Sequence, residues 1–351
     1  MSTPLSIFLA ALLCSLILTP LTRTLGYRLG VIDIPGEFSI HTRRIPRIGG
    51  MAMFVSFLVA IGYAWIMGLL DNEKRAFIGI VIGAVVIFIA GLLDDIKRIS
   101  PKKKFLWECL GAAIAIGLGL QVGTFPMLGV GIFLALFYLV GGANALNLLD
   151  GMDGLAAGTT AIATFFMAIL AAGQEKILVL VLALATLGAT LGFLPYNLNI
   201  NFRFRNSKFT IENPQSTIFM GDAGSLFLGF ILSSIAILFT AEPYDLTGFI
   251  TPLVLISIPI LDTALAILRR LTIKAGLFNG DRQHVYDLLA RKGLGNRGAV
   301  LVIYLATFLL GSLSLVMIRL DSLSALLLAT GTVLIMGIIA ISLGAIRPPS
   351  S

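Results

Sequence analysis

Charged residues are scarce in this sequence, and so are the side chains that build disulfides and zinc sites. Only 12% of the 351 residues are charged, against about 25% in a typical soluble domain, which excludes an ordinary soluble globular protein. The two cysteines, Cys14 and Cys109, lie in apolar segments without a CxxC pair or a nearby histidine, which argues against a disulfide framework and a zinc site. Apolar surface is abundant instead, because 58% of the residues are hydrophobic. Such a composition requires a lipid bilayer.

Long apolar runs divide the sequence and predict its fold class. Each run is near the roughly 20 residues that a membrane-spanning helix needs, and the alternating ten-residue segments of outer-membrane barrels are missing. We therefore predict an all-α, polytopic membrane bundle that forms one domain over residues 1–351. The first run has no basic residue before Arg23 and no small-residue cleavage site, which favours a retained helix over a signal peptide. Eleven spans are predicted, near residues 4–21, 48–70, 77–93, 106–122, 127–147, 154–172, 177–194, 218–240, 247–268, 298–318 and 323–345.

The basic residues predict the orientation of the bundle. Of the 25 Lys and Arg residues, 21 fall in loops of one face, and cytoplasmic loops hold the excess of such residues. The N-terminus is then outside and the C-terminus cytoplasmic. The net charge of +7 on this face predicts anionic lipid headgroups, nucleotides or phosphorylated lipids as partners rather than nucleic acid, although membrane topology alone also explains it. The predicted cytoplasmic loops lie near residues 22–47, 94–105, 195–217 and 269–297.

Two adjacent acids close the third predicted span, in the segment GLLDDIKRISPKKKF. An acid at mid-bilayer costs about 2.5 to 3.5 kcal/mol on insertion scales, so acids beside apolar spans are functional candidates. Asp94 and Asp95 repel each other unless a cation lies between them, which suits a general base or a Mg²⁺-assisted role. The alternative is an ordinary acidic helix end followed by a solvated basic loop.

Amides and acids recur at every third position where the fifth predicted span ends, in NALNLLDGMDGLAAG. Gly151 and Gly154 disfavour a continuous helix there. We predict that the span frays near Asn147 and that the acids lie on a turn that faces a polar cavity. The alternative is a plain Asp-Gly turn in which the last acid caps the next helix. The four residues are Asn144, Asn147, Asp150 and Asp153.

A third acid, Asp222, stands between two glycines just before a long apolar span, in IFMGDAGSLFLGF. Glycines let a backbone approach a ligand closely, and the start of a helix offers N–H groups and a positive dipole end to phosphate. Asp222 is therefore a candidate Mg²⁺ ligand. The alternative is a simple capped helix start.

The only two histidines, His41 in HTRRIPRIGG and His284 in FNGDRQHVYDLLARKG, are both predicted on the cytoplasmic side. With basic neighbours such as Arg44 they could hold phosphates, and loop or cap roles are the alternative. Asp262, inside the ninth predicted span, either pairs with a basic residue of the bundle or serves structure only. It is the one plausible midplane acid, and a membrane transporter is the competing class of function that would use it.

Four of these segments together resemble a known family. DDIKRISPKKK fits DDxxxLxxxxK with Ile99 in place of Leu, NALNLLDGMDGL fits NxxNxxDGxDGL, FMGDAGSLFLG contains GDxGS, and HTRRIPRIGG fits HxxxxPxxGG. In this order, from about residue 41 to 293, they resemble the polyprenyl-phosphate N-acetylhexosamine-1-phosphate transferase superfamily. The resemblance implies an enzyme of the bacterial inner membrane that transfers a sugar-1-phosphate from a UDP-sugar to undecaprenyl phosphate at the cytoplasmic face. It also implies release of UMP and a requirement for Mg²⁺, with Mn²⁺ as a substitute.

Within that superfamily the chain looks most like the bacterial branch that loads GlcNAc-1-phosphate for O-antigen, enterobacterial common antigen or wall teichoic acid. The alternative is phospho-N-acetylmuramoyl-pentapeptide transferase of peptidoglycan synthesis, which normally has a histidine-rich motif in the last cytoplasmic loop. Here that loop reads RQHVYDLL, so the HxHH-like motif of the GlcNAc branch is incomplete as well. The stretch Asn199–Gln215 is longer than the corresponding link of the family, and we predict a small β-hairpin there.

The resemblance also implies roles for single residues of this chain. Asp94 or Asp95 deprotonates or positions the lipid phosphate. The sequence leaves open whether the attack is direct or proceeds through an aspartyl-phosphate, and we favour direct attack because it needs fewer steps. The metal set is Asp222, helped by Asp95 or Asn147. Superfamily members are often dimers, so a homodimer is the implied assembly. The substrate-binding residues are Asp150 and Asp153 at the nucleotide, Lys104, Arg44, His41 and His284 at phosphates or sugar, and Asn144 beside the turn.

Overall fold

The computed structural model describes residues 3–35, 43–70, 73–123, 127–198, 203–205, 208–210, 216–240, 245–273 and 283–346. Within these ranges the chain is a bundle of helices with two short strand pairs. The helices are α1 Thr3–Leu29, α2 Gly50–Ile66, α3 Lys74–Lys97, α4 Pro101–Gly117, α5 Leu128–Leu149, α6 Leu155–Gly173, α7 Ile177–Asn197, α8 Gly221–Phe239, α9 Leu246–Leu255, α10 Ser257–Thr272, α11 Val285–Leu289, α12 Gly295–Met317 and α13 Ser322–Leu343, with a π-helical turn at Ala290–Leu294.

Each predicted span coincides with a helix or a pair of helices. Among the described residues, eight helices are long and apolar enough to cross a membrane, and the bent pair of α9 and α10 makes a ninth. The other two spans correspond to α2, a shorter apolar helix, and to α4, whose 17 residues begin with a proline and three lysines. The chain is therefore a multi-pass helical membrane protein. The count of eleven spans and the orientation of the termini stay predictions.

The ninth predicted span is bent rather than straight, because α9 and α10 meet at 76°. Pro259 is the third residue of α10. A proline has no N–H to donate, and its ring clashes with the carbonyl four residues earlier, which here belongs to Leu255 at the end of α9. The helix therefore breaks between Leu255 and Ser257. After this break α10 packs against α5.

Small residues let α3 and α2 approach the start of α8 closely. A Cβ atom on Gly91 of α3 would lie 2.5 Å from the Cα atom of Ala223, and one on Gly50 of α2 would lie 2.3 Å from the backbone nitrogen of Gly224. Contacts this short exclude any side chain at either position. As in other membrane helix pairs, small residues bring the backbones together. The N-terminal turn of α8 is thus fixed between α2 and α3.

The two strand pairs are both antiparallel. Strand β1 (Ile32–Asp33) pairs with β2 (Ile45–Pro46), and β3 (Arg203–Arg205) pairs with β4 (Lys208–Thr210). The second pair confirms the hairpin predicted within Asn199–Gln215, of which only these strands lie among the described residues. Next to the first pair, Phe219 donates its backbone N–H to Pro46 at 2.8 Å, which fastens the loop after β2 beside the segment that leads into α8.

Candidate active site

Asp95, at the C-terminal end of α3, binds the first turn of α8 through its carboxylate. Its two oxygens accept the backbone N–H groups of Asp222 and Ala223, both at 3.0 Å, and Arg47 Nε lies 3.5 Å from one of them. The side chain is only 1% exposed. Gly221 comes just before Asp222 with φ +69°, and a Cβ atom there would lie 2.1 Å from the carbonyl oxygen of Arg47. Asp95 therefore positions Asp222. The role of Asp95 as a metal ligand stays a prediction.

Lys104, near the start of α4, lies at the centre of the polar cluster. Its ammonium group contacts one carboxylate oxygen of Asp222 and lies 3.4 Å from both Asp94 Oδ2 and Asn147 Oδ1. These three oxygens come from three different helices. Asn147 is held in turn by its amide, which donates to Ser225 Oγ at 2.8 Å. The structure thus brings together Asp94, Lys104, Asn147 and Asp222, four residues of the candidate motifs.

Glu108, one turn after Lys104 on α4, belongs to the same cluster and was missed by the sequence analysis. It is 1% exposed, and one of its oxygens accepts a hydrogen bond from the side-chain amide of Asn144. The same amide donates to Val140 O at 2.9 Å. An acid inside the apolar run FLWECLGA, four residues after a lysine, is the signal that could have identified it.

Helix α5 ends at Leu149, so Asn144 and Asn147 remain on regular helix and the predicted fraying begins two residues later than expected. Asp150 and Asp153 lie on the turn that leads into α6, as predicted. The carboxylate of Asp153 accepts the backbone N–H of Ser216 at 2.9 Å. Asp153 therefore connects this turn to the segment before α8.

The ionisation of Asp150, on the same turn, is strongly perturbed by its surroundings. Part of the residue reaches the protein surface, but its carboxyl group is surrounded by protein. This burial, and then the nearby carboxylates of Asp222 and Asp95, raise the pKa of Asp150 well above its usual range. The proximity of these carboxylates shows that the turn faces the same cluster as α3 and α8.

His284 and Asp262 form a buried pair beside the turn. Asp262 Oδ2 lies 2.6 Å from His284 Nδ1, and Asp262 Oδ1 accepts the backbone N–H of Val285 at 2.7 Å. Of the two alternatives left open for Asp262, the structure shows the pairing with a basic residue, His284. The imidazole stacks on Tyr286, with ring centroids 5.3 Å apart, and Tyr286 Oη donates to Leu148 O at 3.1 Å, near the end of α5.

The loop before α2 places one of its arginines beside the cluster. Arg44 is exposed, and its backbone carbonyl accepts a hydrogen bond from Tyr27 Oη at 3.1 Å. Arg47, three residues further on, is the arginine that reaches Asp95. His41 lies outside the described residues, and its substrate-binding role stays a prediction, as does that of Arg44.

The fold and the site define a multi-pass helical membrane protein in which acids from two helices and an amide from a third converge on one lysine. Comparison with known proteins agrees, since the family model described as glycosyl transferase family 4 matches residues 77–240. This range contains Asp94, Lys104, Asn147 and Asp222.

The chain belongs to this family, because long stretches also match curated relatives. It is 36% identical over 312 residues to the probable undecaprenyl-phosphate N-acetylglucosaminyl 1-phosphate transferase of Bacillus subtilis (strain 168), which covers 86% of this chain and 81% of the relative. It is 31% identical over 320 residues to the decaprenyl-phosphate N-acetylglucosaminephosphotransferase of Mycobacterium tuberculosis (strain ATCC 25618 / H37Rv), covering 81% and 74%. It is 30% identical over 304 residues to the undecaprenyl-phosphate alpha-N-acetylglucosaminyl 1-phosphate transferase of Escherichia coli (strain K12), covering 83% and 77%.

Proposed function

We propose that this protein transfers GlcNAc-1-phosphate from UDP-GlcNAc to undecaprenyl phosphate and releases UMP. The observation that carries the proposal is the Lys104 ammonium, held between Asp94 of α3, Asn147 of α5 and Asp222 of α8. A site of this kind can neutralise and orient phosphate groups, which is most of what phosphoryl transfer requires of a protein. The names of the relatives supply the sugar and the lipid.

The donor chemistry of the cluster fits Mg²⁺. Mg²⁺ is usually held by one or two carboxylates together with substrate phosphates, and Asp222 and Asp94 provide two carboxylates that already share one cation, Lys104. Among the described residues no three Asp, Glu, His or Cys side chains converge on one point, so the amide oxygen of Asn147 completes the set. The carboxylates also outnumber the cations in the cluster, which contains Asp94, Asp95, Glu108 and Asp222 against Lys104 and Arg47.

We assign Asp222, Asp94 and Asn147 to hold the metal ion, with Asp95 holding Asp222 in place. Bound there, Mg²⁺ would neutralise charge on the diphosphate of the donor. Asp94 also takes the proton of the lipid phosphate when that group is protonated. An oxygen of the lipid phosphate then attacks the β-phosphorus of UDP-GlcNAc, and the bond from that phosphorus to the oxygen of UMP breaks. The direct attack leaves no covalent link to the protein.

The turn after α5 and the His284 region are the proposed contacts for nucleotide and sugar. Asp150 is surrounded by protein at the edge of the cluster, and Asp153 holds Ser216. His284 is oriented by Asp262 through its Nδ1 atom, and we assign its imidazole to the phosphates or the sugar of the donor. Asp262 was the one plausible midplane acid, which a transporter would use. Because it is paired with His284, the proposed enzyme gives it a role without transport.

The active site is proposed on the cytoplasmic face of a bacterial inner membrane. The ends of α3 and α5 and the starts of α4 and α8 carry the cluster, and all four lie on the face whose loops have the predicted excess of basic residues. A reporter enzyme active only in the periplasm, fused after residue 351, should be inactive, whereas a fluorescent protein that folds only in the cytoplasm should fluoresce. The opposite result would overturn this orientation.

The test of the function is an exchange assay with purified protein. Labelled UMP should be incorporated into UDP-GlcNAc only when undecaprenyl phosphate and Mg²⁺ are both present. Asp222→Asn should reduce exchange by at least about a hundredfold, since it removes a charge at the reacting centre. Asp321→Asn is the matched control, because Asp321 is exposed and caps α13 far along the sequence. Normal turnover of Asp222→Asn would overturn the assignment.

A panel of sugar donors tests the choice of substrate. UDP-GlcNAc should be used well and UDP-MurNAc-pentapeptide poorly or not at all. Absence of exchange with any UDP-N-acetylhexosamine would overturn the enzyme function. A transporter would instead carry unmodified substrate into sealed vesicles that contain the protein, and this flux can be measured.

A further inference from the structure

Glu108 has a buried carboxylate oxygen that no part of the proposed reaction uses. The residue is 1% exposed, and among the described residues its Oε1 atom has no hydrogen-bond partner. Its other oxygen accepts the amide of Asn144. A buried polar atom without a partner is costly, on the order of 1 to 3 kcal/mol, and such atoms are rare in native structures. The unpaired oxygen therefore suggests a partner that arrives in another state of the protein.

Lys104 is the cation best placed to become that partner. Residues four apart on a helix lie on the same face one turn apart, so Glu108 is the neighbour of Lys104 along α4. The two side chains already attract each other electrostatically. At present the ammonium group contacts Asp222 instead.

A metal ion and the Lys104 ammonium cannot share the same oxygen of Asp222. Both are cations, and the oxygens that now surround Lys104 are those assigned to Mg²⁺ under the proposed function. A lysine that leaves Asp222 for another carboxylate avoids an isolated buried charge, which would otherwise be expensive. Glu108 offers that carboxylate within one helical turn.

We propose that Glu108 is a positioning residue that receives the Lys104 side chain when a divalent cation binds Asp222. Lys104 thus moves between two carboxylates, Asp222 without metal and Glu108 with metal. The free Oε1 atom of Glu108 is the acceptor kept for this second position. This inference rests on the proposed metal site, and it predicts that Glu108 influences metal binding only through Lys104.

Metal binding can be measured directly with Mn²⁺, whose electron paramagnetic resonance signal falls when the ion is bound. The full-length protein in detergent is titrated with Mn²⁺ alone, without substrates. Glu108→Gln removes the charge but keeps an oxygen for Asn144, and it should weaken Mn²⁺ binding about tenfold because Lys104 then stays at Asp222. Glu108→Asp keeps the charge and should recover most of the affinity.

A double-mutant cycle separates this role from a general effect of charge. Lys104→Gln should bind Mn²⁺ at least as tightly as the wild type, and adding Glu108→Gln to it should change nothing further. If Glu108→Gln weakens binding equally with and without Lys104, the carboxylate attracts the metal directly and the inference is overturned. Wild-type affinity in Glu108→Gln overturns it as well.

Two controls keep these outcomes interpretable. Melting of each variant without metal shows whether it folds, and Glu108→Met is a second uncharged variant if the Gln variant does not. Asp222→Asn tests the metal site itself. If the wild type does not bind Mn²⁺, or Asp222→Asn binds it equally well, the proposed metal site fails, whereas loss of the Glu108 effect alone leaves that site intact.

Discussion

Asp95 on α3 and Asp222 on α8 are joined through the backbone, because an oxygen of the Asp95 carboxylate accepts the N–H group of Asp222 at 3.0 Å. Ala223 donates to the other oxygen at the same distance. The start of a helix has backbone N–H groups without partners and a positive dipole end, both of which favour a carboxylate. The two acids of the DD motif therefore differ in role, since Asp94 faces Lys104 while Asp95 fastens α8.

Exchanging each acid of the motif for its amide should separate these roles. Asp95→Asn replaces one accepting oxygen by an NH₂ group that faces a backbone donor, and it should lower the free energy of unfolding by about 1 to 3 kcal/mol. Asp94→Asn should leave stability nearly unchanged but reduce UMP exchange strongly. Reversible unfolding in mixed micelles and the exchange assay measure the two effects. If Asp94→Asn and Asp95→Asn lose the same stability, the two acids do not have these separate roles.

Gly221 should not tolerate alanine. Its φ of +69° is unfavourable for a residue with a Cβ atom, and that atom would lie 2.1 Å from Arg47 O and 2.5 Å from Asp95 Oδ2. The left-handed conformation alone costs about 1 to 2 kcal/mol, and the contact must also displace Arg47 or Asp95. Gly221→Ala should therefore lower both the melting temperature and the exchange rate.

Gly331→Ala on α13 is the matched control for that change. Nothing lies within 4 Å of a Cβ atom built there, and alanine has the better helix propensity, so this variant should be neutral or slightly more stable. If Gly221→Ala behaves like Gly331→Ala, the close packing between Arg47, Asp95 and the start of α8 is not important for the fold.

The helices could be predicted from the sequence because a spanning helix satisfies its own backbone and needs only a long apolar run. Each of the eleven runs is helical, with boundaries shifted by up to eight residues. The bend between α9 and α10 could not be seen in hydropathy, which does not change at Pro259. The feature that indicates the bend is the proline itself, which lacks an N–H group and clashes with the preceding helical turn.

Only part of the site could be predicted from the sequence. Motifs report short stretches of the chain, whereas the decisive contacts join residues that are far apart in the sequence. Local motifs identified Asp94, Asn147 and Asp222, since each is polar beside an apolar run, and the family resemblance added Lys104. They could not separate Asp94 from Asp95, because only the packing of α8 against α3 decides which carboxylate caps a helix. The pairing of Asp262 with His284 crosses 22 positions of the sequence. No spacing rule predicts such a contact.

The Asp262–His284 pair should act as one unit in catalysis. Asp262→Asn removes the charge that orients the imidazole, and His284→Ala removes the ring itself. If the aspartate acts only through the histidine, the double variant should lose no more exchange activity than His284→Ala alone, with a coupling of about 1 to 3 kcal/mol. Additive losses would show that Asp262 has an independent role. His284→Gln, which keeps a hydrogen-bonding group, should retain more activity than the alanine variant.

The raised pKa of Asp150 makes a prediction about stability and pH. The folded protein binds the Asp150 proton more tightly than the unfolded chain, whose aspartates titrate near pH 4. Raising the pH above about 4 therefore deprotonates the unfolded chain first, and the folded state loses stability until the pH exceeds the raised value. Asp150→Asn cannot ionise and escapes this loss.

The measurement that follows is the melting temperature of Asp150→Asn minus that of the wild type, recorded in detergent without substrate or divalent metal. The difference should increase as the pH is raised through the interval between the ordinary and the raised pKa of Asp150, and level off above it. The exposed residue Asp321 provides the control, since the pKa of its carboxyl is lowered by the Ser324 side chain and the N–H groups that it caps, so Asp321→Asn should not give a difference that increases with pH over this interval. A pH-independent difference for Asp150→Asn would show that its carboxyl is not held protonated by the surrounding protein and the neighbouring acids.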